Sequence, residues 1–133
     1  MRVAWLLSVL AFAGCDPTST LDGIACTTEA RPAITVTVST ETVSTEQGDP
    51  SVDTVSVEFR DGDFVEVAEW RPPGGTPWGS FSGAFERPGT YTVSVDANGY
   101  QPWVRSNVEV GETPDGCHVE TVLLDARLLP LPR

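Results

Sequence analysis

Pro88-Gly89-Thr90-Tyr91-Thr92-Val93-Ser94-Val95-Asp96-Ala97-Asn98-Gly99-Tyr100 is the most regular stretch of this sequence. Tyr91, Val93 and Val95 alternate with Thr92 and Ser94, the period of a strand with one face buried and one face wet. Arg87-Pro88-Gly89 before it fits a turn with Pro second and Gly third, and Asn98-Gly99 after it is a strong hairpin dipeptide. The same alternation recurs upstream in Ile34, Val36 and Val38, spaced by Thr35 and Thr37, and in Val55, Val57 and Phe59, spaced by Ser56 and Glu58. Four further segments alternate less cleanly: Phe64–Trp70, Phe81–Phe85, Trp103–Val110 and Cys117–Leu128. Their adjoining apolar residues point to bulges or to strands buried on both sides.

Turn chemistry separates these runs. Asp61-Gly62-Asp63 suits a tight hairpin, and Pro72-Pro73-Gly74-Gly75-Thr76-Pro77 continues neither a helix nor a central strand. No helical stripe is evident. About seven short strands with regular turns predict an all-β, antiparallel two-sheet sandwich, transthyretin-like or Ig-like. At 133 residues the chain holds one such domain, which we place at residues 33–133.

Residues 1–14 read differently. Arg2 precedes the apolar run Val3–Ala13, which is too short to cross a bilayer at roughly 20 residues and matches a signal-peptide core. Phe12-Ala13-Gly14-Cys15 resembles the lipobox of bacterial lipoproteins, with Phe12 where Leu is usual. That resemblance implies cleavage after Gly14, lipidation (palmitate among the acyl groups) at Cys15, and a cell-envelope protein held to the extracytoplasmic side of a membrane. The alternative is an ordinary secretory signal cut near Ala13. Residues 15–32 would then be the lipidated Cys and a polar, turn-rich tether. Of the three cysteines, acylation of Cys15 leaves Cys26 and Cys117 as an even pair in a compartment that permits disulfides. A bridge between them is expected, two reduced buried thiols being the alternative.

A second resemblance covers about residues 33–128. Gly48-x-Pro50-x-Val52-x-x-Val55-x-Val57, then Gly83-Ala84-Phe85, then the stretch from Pro88 to Tyr100 resemble the carboxypeptidase regulatory-like domain. The family's transthyretin-like sandwich and its role as a non-catalytic accessory are what this resemblance implies. The separation of Phe85 from Pro88 is shorter than the family pattern, which bears on pairing near residues 79–90. Tyr91 is expected to face the core with its hydroxyl at the sheet margin, and Gly99 to supply a positive φ.

Little in the chain points to chemistry. The formal net charge of −11 makes nucleic acid an improbable partner, since phosphate contacts need a concentrated basic face. His118 is the lone histidine, and with Cys117 assigned to a disulfide it reads as a strand residue rather than a metal ligand. Asp61 and Asp63 start like a calcium loop, but Val65 and Pro72 stand where ligands are needed. Gly79-Ser80-Phe81-Ser82-Gly83 has Phe where a nucleophile elbow has Ser. We therefore expect no catalytic residue, metal or cofactor. The expected role is protein–protein contact, adhesion or assembly in the envelope. The alternative is carbohydrate binding, for which Trp70, Trp78 and Trp103 are the candidate residues, with an envelope protein or a glycan as the partner.

Overall fold

The computed structural model describes residues 26–41, 52–75 and 77–132. Seven strands form in chain order: β1 (Ile34–Thr40), β2 (Val55–Asp61), β3 (Phe64–Trp70), β4 (Gly79–Gly83), β5 (Gly89–Ala97), β6 (Trp103–Val110) and β7 (Val122–Leu128). They make a three-stranded sheet of order β4-β1-β7 and a four-stranded sheet of order β3-β2-β5-β6. The expected two-sheet sandwich is therefore present. Pairing is antiparallel throughout except between β1 and β7, which run parallel with Ile34 beside Val122 and Thr40 beside Leu128.

The alternation read from the sequence becomes the core. Ile34, Val36 and Val38 from β1, Phe81 from β4, and Ala126 and Leu128 from β7 face Val55, Val57 and Phe59 from β2, Tyr91, Val93 and Val95 from β5, and Val108 and Val110 from β6; all are buried. Each fully buried Val, Ile or Phe side chain contributes on the order of 1.5–3 kcal/mol of transfer free energy. Tyr91 is fully buried, and its hydroxyl donates to Arg87 O at 2.7 Å, so the one polar atom of this large side chain is satisfied.

Three local expectations change. The turn before β5 falls three residues earlier than the one expected to start at Arg87-Pro88-Gly89: Arg87 N–H donates to Ala84 O (3.2 Å), and Ala84 and Glu86, not a glycine, carry positive φ (54° and 51°). Strand β4 stops at Gly83 and leaves Phe85 half exposed, because the chain turns at Ala84. The last strand begins at Val122, and Cys117 and His118 sit in the loop before it. Other turns are as expected. Gly62 has φ +57° in the two-residue connection between β2 and β3, and Gly99 has φ +87° in the turn closed by Tyr100 N–H to Ala97 O (3.1 Å). The irregular pattern of Trp103–Val110 is a bulge: Thr92 of β5 faces both Ser106 and Asn107, and Asn107 has φ 58°.

The register fixes two ends to the sandwich. Strands β1 and β7 start, and β4 and β6 finish, at the end that holds the β2–β3 hairpin and the Ala84–Arg87 turn. The connections after β3, β5 and β7 lie at the opposite end, roughly 20 Å away for seven-residue strands. There Val52 N–H donates to Gly75 O (2.8 Å), and the tail after β7 folds back, with Gln101 N–H donating to Leu129 O and Leu131 N–H to Gly99 O.

At Gly83 the two sheets approach each other closely. A Cβ there would lie 2.6 Å from the Phe59 ring. Gly83→Ala should therefore destabilise the domain by about 1–3 kcal/mol through overpacking. Chemical denaturation measures it, and a midpoint equal to wild type would show that the sheets are not packed this closely.

Candidate functional site

The aromatic residues singled out from the sequence separate into a pair and an outlier. Trp70 closes β3 and Trp78 immediately precedes β4, so the intervening Pro/Gly loop brings them together. Gly75 N–H donates to Pro72 O (3.1 Å), closing a turn over Pro72–Gly75 in which Gly74 and Gly75 have φ +77° and +72°. The Trp70 ring meets Trp78 edge-on (centroids 5.7 Å, planes at 75°) and Phe81 likewise (6.1 Å, 72°). Trp70 packs against the core, whereas Trp78 is 56% exposed. Together they wall a notch of about 500 Å³ between the open edges of β3 and β4, with Glu69, Ser80 and Ser82 also lining it.

Trp103 lies elsewhere, on β6 at the other edge of the four-stranded sheet. Three strand spacings separate it from Trp70, roughly 14 Å. The three tryptophans thus form no common platform, and the near-perpendicular Trp70 and Trp78 rings do not present the flat face that stacking on a sugar needs.

The opposite end carries a polar cluster that sequence reading missed. Cys26 and Cys117 are disulfide-bonded (Cα–Cα 5.2 Å), which ties the segment before β1 to the loop before β7. Beside the bridge His118 is 8% exposed; it is a buried loop residue, not the strand residue expected. Its Nδ1 lies 2.8 Å from Glu86 Oε1 and its Nε2 2.9 Å from Thr27 Oγ1. Glu86 also accepts from Arg31 N–H (2.7 Å) and Val119 N–H (3.3 Å), so one carboxylate joins three separate segments. The left-handed backbone at Ala84 and Glu86 costs of order 1–3 kcal/mol per residue. It is held by Glu86 N–H on Arg31 O (2.9 Å) and by Ala84 N–H on Glu66 Oε2 (2.8 Å).

The Arg31 N–H bond, then the hydrogen bond from His118, hold the Glu86 carboxyl below its ordinary 4.5. Asp115 is lowered from 3.8, first by the Thr113 hydroxyl and then by Cys117 N–H. These bonds favour the carboxylate over the acid.

Hydroxyl, imidazole and carboxylate follow one another here in the order of a nucleophile, its base and an orienting acid. The electrostatics oppose that use. The adjoining cleft of about 360 Å³ is lined by Glu29, Glu86 and Glu112 and by no arginine. An oxyanion developing there would meet negative charge where catalysis needs donors or cations. The same bonds tie the chain entering β1, through Thr27 and Arg31, to His118 and Glu86. Nothing in the sequence pairs Glu86 with His118, 32 residues apart; the adjacency of Cys117 and His118 was the available hint.

Cys15, the expected lipidation site, lies outside the described residues, as do residues 1–14 and the tether up to residue 25. Among the described residues no group of three or more His, Cys, Asp or Glu is placed to hold a metal. Asp61 instead accepts from Arg87 (3.3 Å), whose guanidinium lies 4.5 Å from the Phe64 ring centre. Comparison of the sequence with protein-family models and with curated proteins returns no match, so function is argued from the chain's own residues.

The lowered Glu86 and Asp115 carboxyls give stability a pH dependence with a definite sign. Both favour the folded state above the ordinary carboxylate range, and that contribution is lost as pH falls through it. Wild-type melting temperature should fall on acidification from neutral pH, and Glu86→Gln should be less stable at neutral pH with a flatter acid limb. Thermal melts across pH check this; a constant offset between the two proteins would contradict it.

Proposed function

We propose that this chain is a lipid-anchored, non-enzymatic module of the bacterial cell envelope, carried on Cys15 and contacting a protein partner for adhesion or assembly. The observation that carries this reading is the polarity of the fold. The chain enters at the disulfide-tied end, while the Trp70–Trp78 notch opens between β3 and β4 towards the opposite end. On this reading the point of attachment lies on the side of the Glu86–His118 end, and the aromatic notch lies at the end away from it. The resemblance of residues 33–128 to the carboxypeptidase regulatory-like domain supports the same reading, through a buried Tyr91, a positive φ at Gly99 and a seven-stranded sandwich. Contact with protein is favoured over contact with glycan because Trp103 is remote from the other two tryptophans and the Trp70 and Trp78 rings are not coplanar.

Expression of the full chain in a bacterium that matures lipoproteins tests the proposal. Wild type should fractionate with membranes and enter the detergent phase, and Cys15→Ala should be released into the soluble envelope fraction. A photo-crosslinking residue at position 78 should yield adducts with protein, and one at position 115 should not. Unchanged partitioning of Cys15→Ala, or adducts at 115 alone, would contradict the reading.

A further inference from the structure

Among the described residues both sheets of the sandwich are open, so four strands have a free edge: β3 and β6 in one sheet, β4 and β7 in the other. Free edges invite pairing with other chains unless charge, bulges or prolines blunt them. Three of the four are blunted. Strand β3 carries Glu66 and Glu69, β6 carries Arg105, Glu109 and the Asn107 bulge, and β7 carries Asp125 and Arg127 and runs into Pro130 and Pro132. Strand β4 is Gly79-Ser80-Phe81-Ser82-Gly83, without charge, proline or bulge, and among the described residues it pairs only with β1. The edge left unprotected is the one that borders the aromatic notch.

We infer that β4 accepts an extended polypeptide segment as an added strand, one that carries apolar residues for the notch and basic residues beside them. The inference rests on the protein-contact reading above and names the partner's chemistry. Main-chain hydrogen bonds to the free side of β4 would supply affinity, and alternate side chains would supply selectivity, as in other strand-addition complexes. An inward side chain meets Trp70, Trp78 and Phe81, where a partly exposed Trp rim surrounds buried aromatic surface. Charge selects the remainder. The ionisable residue lining the notch is Glu69, Glu66 stands further along the same seam, and the chain carries −11 overall. A cationic segment is drawn to this surface and an anionic one repelled. The same charge disfavours the other occupant that β4 invites. Its sequence is palindromic and would let two copies pair edge to edge, but each copy brings −11.

A blocked peptide of alternating lysine and phenylalanine is the probe, titrated into the full mature chain by tryptophan fluorescence and by amide chemical shifts. We expect saturable binding, shifts centred on residues 78–83, and slowed exchange of β4 amides. Trp78→Ala should weaken binding about tenfold or more, as for an aromatic anchor at the centre of an interface. Ser80→Lys, which adds an edge charge without touching the core, should weaken it as well, and Trp103→Ala should leave it unchanged. A glutamate–phenylalanine peptide should not bind, and a lysine–serine peptide should bind far more weakly. Equal binding of the lysine–serine peptide, shifts centred on β6 or β7, or indifference to both β4-side variants would overturn the inference, and so would concentration-dependent dimerisation through β4 without peptide. Envelope adducts at position 78 with no peptide binding would defeat the strand-addition inference while leaving the protein-contact reading intact.

Discussion

The covalent tie between Cys26 and Cys117 organises the rest of the molecule. It joins positions 91 residues apart, and in the chain-entropy picture closing a loop of that length restricts the unfolded chain by about 4–5 kcal/mol. That is comparable with much of the net stability of a small domain. β1 and β7 each begin shortly after one of the two cysteines and run side by side in parallel, in an otherwise antiparallel sandwich. β1 is the central strand of its sheet, with β4 on its other side.

The two ends of the sandwich are unlike. At the tied end, Glu86 spends its carboxylate on Arg31, His118 and Val119, and the turn that presents it adopts a backbone that side chains normally avoid. At the other end the connections are built from Pro and Gly, and a tryptophan is left half in water. Hydrogen bonding surrounds the Cys26–Cys117 tie, where Phe85 and Leu123 are also exposed, and the half-exposed Trp78 lies at the other end. The cleft next to His118 is acidic and so opposes the build-up of negative charge there.

The fold was legible in the sequence because period-two alternation is a local signal that burial enforces. Ile34–Val38, Val55–Phe59 and Tyr91–Val95 all became core strands. The errors cluster where tertiary contacts override local preference. Arg87-Pro88-Gly89 has the composition of a turn, yet the chain turns at Ala84–Arg87, because Glu86 and Ala84 are held by partners from Arg31, Glu66 and His118. His118 was expected in a strand because it lies in the Cys117–Leu128 segment, whereas it is buried in the loop before β7 against Glu86 and Thr27, beside the disulfide. Of the candidate site, the Trp70–Trp78 pairing was half visible through the Pro/Gly loop that joins them. The remoteness of Trp103 was not, since it follows from strand order rather than from spacing.

The Cys26–Cys117 bridge ties the segment before β1 to the loop before β7, beside the buried His118. A non-reduced proteolytic digest of protein matured in the envelope, read by mass spectrometry, addresses it directly. The account predicts a single linked pair of peptides, one containing Cys26 and the other Cys117, that separates on reduction. Free, alkylatable thiols at both positions in folded protein would contradict it.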